Sequence, residues 1–132
     1  MAAKSLFLLL CSSEHEKIQM AAMLSSVAAV SERPVQLLVS MSAILAFKNG
    51  LADSQRYRGG EFSRSMLEKK VPDAMTLFHQ GRLLGGLQVY ACSMAMDVAQ
   101  LSISDLVVDL FDGERGLTAF LSDAEQGELV VL

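Results

Sequence analysis

Runs that read as apolar strands alternate with runs that read as helices along the whole chain, which predicts an α/β protein. The expected form is a three-layer α/β/α sandwich around a mainly parallel sheet of about five strands, with right-handed crossovers. Two observations add to the alternation. The first strand-like run, about Ser5 to Cys11, is continuously apolar, as a strand covered on both faces is. The 132 residues fit one domain, 1–132, long enough to bury a core without disulfides or metal.

The elements follow in order. Ser13 reads as a helix N-cap with Glu16 as its capping-box partner, opening a helix to about Val30. Met20, Met23, Leu24, Val27 and Ala28 form its apolar stripe, and the flanking Ala21, Ala22, Ser25 and Ala29 are small, so it can pack on two sides. Pro34 precedes a second apolar strand, Val35 to Val39, and Ala43 to Lys48 reads as a short helix closed by Asn49-Gly50. From Leu51 to Phe62 the run LADSQRYRGGEF lacks periodicity and reads as a loop, of a length found in lids and partner-binding elements. A helix from Ser63 to Val71 stops before Pro72, and Asp73 caps another running to about Leu84.

Gly85-Gly86 leads into a third strand, Leu87 to Ala91, closed by Cys92, and Ser93 to Ala99 reads as a helix. Ser102 and Asp105 repeat the capping-box pattern. Val107 to Phe111 is the expected fourth strand. The stretch Phe111 to Gly116 holds a lone G-x-x-G with no following Lys-Ser/Thr, and reads as a turn rather than a phosphate loop. Gly116 to Glu125 is a helix and Leu129 to Leu132 the last strand.

Composition narrows the function classes. Hydrophobic residues make up 52% and charged residues 20%, and the mean hydropathy is +0.36. The longest apolar run, Leu6 to Cys11, falls far short of the ~20 residues that span a bilayer, so no membrane span is expected. The excess apolar surface is assigned to a core and a subunit interface. The same run is read as a strand rather than an export signal, because only Lys4 precedes it and no small residue stands before Cys11. Two cysteines without a C-x-x-C spacing point to a reducing, cytoplasmic setting. Between Lys48 and Lys70 six basic side chains face three acidic ones, net +3, which leaves −7 on the rest of a chain whose total is −4. An acidic total with few aromatics carries no nucleic-acid footprint.

Chemistry concentrates on Cys92. A cysteine between a strand and a helix meets free N–H groups and the positive end of the helix dipole, which favour thiolate over thiol. The plainer reading is that it packs as a small hydrophobe. Ligands of open α/β sheets gather beyond the carboxyl ends of the strands, where Cys11, Met41 and Cys92 all fall. Cys11 is a supporting candidate, as a resolving partner or a plug closing its strand. His15, early in the first helix, could donate a proton or orient an anion. Ser93 and Met94, at the start of the helix after Cys92, complete the supporting set. Met41, Met94 and Met96 with the cysteines have no metal-motif spacing, so no metal and no cofactor are assigned.

The stretch GGLQVYACSMAMDVAQLSISDL, with an apolar strand, a Cys, a Met-containing helix and a capped segment, resembles the DsrE/DsrF-like family of small sulfur-relay proteins. The opening SLFLLLCSS, the middle PVQLLVSM and the end GLTAFLSDAEQGELVVL are similar in order and spacing, so the resemblance covers nearly the whole chain. It implies a cysteine that accepts sulfane sulfur as a persulfide, a role that falls on Cys92. It also implies a homo-oligomer, trimer or hexamer, and a protein partner that donates or accepts the sulfur. Two alternatives stand beside this: a non-catalytic interaction module, and a thiol redox protein using Cys11 and Cys92.

Overall fold

The computed structural model describes residues 4–132. One sheet of five strands runs through it, all parallel, in the order β4-β3-β2-β1-β5. The strands are β1 (Ser5–Leu10), β2 (Val35–Val39), β3 (Gln88–Cys92), β4 (Gly113–Arg115) and β5 (Gly127–Val131). The helices are α1 (His15–Val30), α2 (Asp53–Arg56), α3 (Glu61–Glu68), α4 (Ala74–Gly85), α5 (Ser93–Ala99) and α6 (Leu117–Ala124), with 3-10 turns at Met41–Phe47 and Ile103–Asp105.

The layers follow from the pleat. Leu6 lines a groove with Met20, Leu24 and Val27 of α1, whereas its neighbour Phe7 meets the Phe120 ring of α6 edge-on at 5.9 Å. Successive side chains of a strand point to opposite faces, so α1 and α6 cover opposite faces of the sheet. The central β2 is buried along its whole length, and so are Leu6, Phe7, Leu8 and Leu10 of β1, which is why these runs carry no polar alternation. β5 closes one edge, with Leu129 and Val131 exposed.

The sequence expectation for α1 is inverted. Its buried residues are His15, Ile18, Gln19, Ala21, Ala22, Ser25 and Ala29, while Met20, Met23, Val27 and Val30 face solvent and only Leu24 and Ala28 of the expected stripe pack, half-buried, against the core. The cause is the close approach of α4: a Cβ on Gly85 would meet the backbone and side chain of Ala29, and one on Gly81 would press on Leu87 and the Ser25 carbonyl. Small residues line the contact because nothing larger fits, and the long ones turn outward.

Four further expectations need correction. α1 starts at His15 rather than after a Ser13 cap, because Glu14 is drawn into a parallel bridge with Arg58 and the His15 amide donates to the Arg58 carbonyl at 2.7 Å. The segment read as a featureless loop contains α2 and the start of α3. Its Arg56 is buried and donates to the carbonyls of Ala46 (2.6 Å), Lys48 (2.9 Å) and Leu51 (3.3 Å), which ties the excursion down. The fourth strand is not Val107–Phe111, which forms turns that plug Leu106 and Leu110 into the core. It is Gly113–Arg115, read from sequence as a turn. Asp112 prepares this pairing, since its amide donates to the Val89 carbonyl and its carboxylate accepts from the Val89 amide and Arg82. Arg115 then lies over the Tyr90 ring and pairs with Asp123 of α6.

Candidate functional site

The sheet brings both cysteines to its carboxyl edge. Leu10 of β1 pairs with Val39 of β2, and Val39 with Ala91 of β3. One residue further along, Cys11, Ser40 and Cys92 therefore form a row across three adjacent strands. The Ser40 amide donates to the Leu10 carbonyl at 2.8 Å, which extends the ladder to the row itself. The row puts two inter-strand spacings, roughly 9–10 Å, between the cysteine backbones. A disulfide needs Cα atoms within about 7 Å, and both thiols are free.

Cys92 is the N-cap residue of α5, in an extended conformation (φ −66°, ψ 123°), and is 5% exposed. Cys11 is half-buried. Burial pushes the Cys11 thiol up, the charge of Cys92 adds to the rise, and Lys17 opposes it. A thiolate on Cys92 thus disfavours a second one on Cys11. The reversal of the connection order in the sheet falls between β1 and β5, so the topological switch point lies beside Cys11 rather than Cys92.

Met41 has φ +51°, the left-handed region that a methionine adopts at a cost, and this reversal sends the chain from Ser40 into the 3-10 turn over the carboxyl edge. Met41 and Met94 stand 53% and 48% exposed, and with Ile44, Leu45, Ala95 and Val98 they wall an apolar groove of about 370 Å³. Ser93 is half-buried beside it. Met96 belongs to the core. Among the described residues, no group of three or more His, Cys, Asp or Glu is placed to hold a metal ion.

His15 belongs to a second, polar site. It is 1% exposed, its Nδ1 lies 2.7 Å from the Ser63 hydroxyl, and its ring stacks on Tyr57 at 4.2 Å. Tyr57 donates to Asp73 at 2.5 Å, and burial followed by this carboxylate pushes the phenol far above its ordinary range. Burial lowers the His15 pKa, while Asp73, Asp53, Glu16 and Gln19 pull it back up. Neither cysteine is among the groups that act on it. His15, Tyr57, Asp53 and Asp73 line a cavity of about 200 Å³ with Gln19, Lys70 and Pro72. Only His15 was singled out by sequence. Tyr57 and Ser63 lay in or beside a stretch read as loop, and Asp73 read as a cap alone. The other histidine, His79, ties α4 to the Val108 carbonyl at 3.0 Å.

No protein-family model matches the chain, and no curated protein matches its sequence. Its fold is similar to that of a solved protein of unknown function, MTH1491 from Methanobacterium thermoautotrophicum, at a TM-score of 0.54 over 98% of this chain and 99% of that one. The two share 11% of their residues, so the likeness is one of fold. No helix among the described residues is long and apolar enough to cross a membrane.

Proposed function

We propose that the protein is a sulfur carrier in which Cys92 holds a persulfide and hands it to a partner. The observation that supports this most is the placement of Cys92 where β3 passes into α5, at the carboxyl edge of the sheet and beside the Met41–Met94 groove. In the step, the Cys92 thiolate attacks the outer sulfur of a donor persulfide. The donor S–S bond breaks, the donor leaves as a thiolate, and Cys92 keeps the sulfur and its proton as a persulfide. An acceptor nucleophile on the partner then attacks that outer sulfur and frees the Cys92 thiolate. No oxidant and no cofactor enter. The setting is a reducing compartment such as the cytoplasm, where both thiols stay free.

Assembly belongs to the same reading. Met20, Met23 and Val27 run along the outside of α1 with an apolar groove on either side, one against Leu6 and the other against Phe62 and Met66. A homo-oligomer, trimer or hexamer, would cover this stripe. The 5% exposure of Cys92 favours a second reading, an oligomeric interaction module in which the sulfur only packs. A redox pair is less favoured, because the row separates the two cysteines by Ser40.

Intact mass after incubation with polysulfide, followed by peptide mapping, tests the proposal. A carrier gains one sulfur on Cys92, loses the gain in a folded Cys92→Ser variant, and retains it in Cys11→Ser. No gain in the wild type would leave the interaction module, and loss in both variants would indicate a pair.

A further inference from the structure

We infer that two adjoining grooves form one site for a small amphiphilic anion, a free carboxylate carrying a short alkyl chain. The first is the apolar groove walled by Met41, Ile44, Leu45, Met94 and Val98. The second, also about 370 Å³, is lined by Lys48, Leu51, Ser54, Gln55 and Arg58, and Leu45 lines both. Each lies within the size range of small-molecule sites.

The second groove selects the charge. Lys48 and Arg58 bring two positive charges to it, no carboxylate lines it, and neither cation is in an ion pair among the described residues. Asp53, next to Ser54, lines the cavity of His15 instead. Asp105 lies within the field of Lys48, but its carboxylate is held by the Ser102 amide and hydroxyl. Hydrogen bonding points the same way. Arg56 donates to the Lys48 and Leu51 carbonyls, and Gln55 Oε1 accepts from the Ala52 amide, so these acceptors are engaged. The Gln55 amide nitrogen, the Ser54 hydroxyl and the two cations remain as donors. Donors and positive charge together take an anion.

The first groove selects the tail. Ser42 is the only polar side chain along it, and the flexible thioethers of Met41 and Met94 can close on alkyl chains of differing shape. A membrane surface fits less well, because both the apolar and the cationic residues line concave walls rather than a projecting face.

Octanoate is the probe, with acetate as the head alone, 1-octanol as the neutral tail and octylammonium as the cationic counterpart. By NMR the Met41 and Met94 methyl signals should shift saturably with octanoate, at a Kd at least about tenfold below that for acetate, as burial of a few CH₂ groups requires. 1-Octanol and octylammonium should bind several-fold more weakly than octanoate. Replacing both cations, Lys48→Gln with Arg58→Gln, should abolish the preference for octanoate over 1-octanol, and Val98→Asp should weaken both ligands. Val98 is 76% exposed and Arg58 is exposed, so the fold should persist, which the amide spectrum checks. The inference is overturned if octanoate gives no saturable shift up to about 10 mM, where a millimolar site is nearly full. Equal binding of acetate or octylammonium, or a double variant that keeps the preference for the carboxylate, overturns it too. So does a protein that ignores octanoate yet sediments with phosphatidylglycerol vesicles, since the surface would then serve a membrane. None of these readouts involves sulfur transfer, so the outcome is independent of the role proposed for Cys92.

Discussion

Tyr57 and Asp73 are joined by a 2.5 Å hydrogen bond, and the other oxygen of the same carboxylate accepts the Thr76 amide at the head of α4. One side chain therefore caps a helix and anchors the segment that crosses over it. Tyr57→Phe removes the donor and leaves the cap. A hydrogen bond to a charged group contributes about 1.5–3 kcal/mol, so urea unfolding should show a loss in that range. An unchanged midpoint would mean that the Asp73 carboxylate is as well served by water.

Arg56 is the clamp of the same region, with three backbone carbonyls around a buried guanidinium. Arg56→Met keeps the stem and deletes every donor. Leaving buried acceptors unmet costs about 1–3 kcal/mol, and protease cleavage between α2 and α3 should accelerate in step with the lost stability.

His15 gives stability a pH dependence. Its folded pKa lies below the ordinary 6.5, so the unfolded chain binds the proton more tightly. Stability is therefore fully present above pH 6.5 and falls as the pH drops below that value towards the folded pKa. His15→Gln should flatten the urea midpoint between pH 7.5 and 5.5, values that bracket the ordinary histidine pKa of about 6.5. A slope that survives the substitution would place the dependence elsewhere.

The cysteine row carries a coupling that alkylation can read. Burial and the charge of Cys92 both raise the Cys11 thiol, so its alkylation midpoint should lie above the 9.0 of an ordinary cysteine. Cys92→Ser removes one of the two causes and should bring the Cys11 midpoint down. A midpoint that does not move in this variant would contradict the electrostatic link across Ser40.

Phe120 is the point at which α6 holds its face of the sheet. It is buried and meets Phe7 edge-on. Phe120→Ala should cost about 3–5 kcal/mol and release β5 together with α6 in hydrogen exchange. Loss of protection spread evenly over the sheet would show that the layer is not separable.

The fold was legible wherever burial was two-sided. β1, β2 and β3 read correctly because strands covered on both faces carry apolar runs, and Asp73 and Gly86 mark the ends of α4 as N-cap and left-handed C-cap. β4 was hidden because Gly-Glu-Arg has no apolar signature and is recruited by the backbone of β3. Val107–Phe111 misled because apolar residues that plug a turn look like a short strand. The outward stripe of α1 had the periodicity of a core face, and only the clearance at Gly85 decides which side is inside. For the sites, the cysteines were visible as residue types at strand ends. The His15 cavity was not, because its members come from α1, α2, α3 and the turn before α4, and long-range packing alone assembles them.

The exposed edge of the sheet bears on how the protein behaves when concentrated. β5 pairs with β1 on one side and ends the sheet on the other, so a row of amides and carbonyls with Leu129 and Val131 beside it lies open to another strand. Such an edge templates aggregation unless something guards it. The only charge within β5 is Glu128, which reaches Arg33 at 3.4 Å. The edge is therefore guarded by a single carboxylate, and Glu128→Ala should speed aggregation of the concentrated protein.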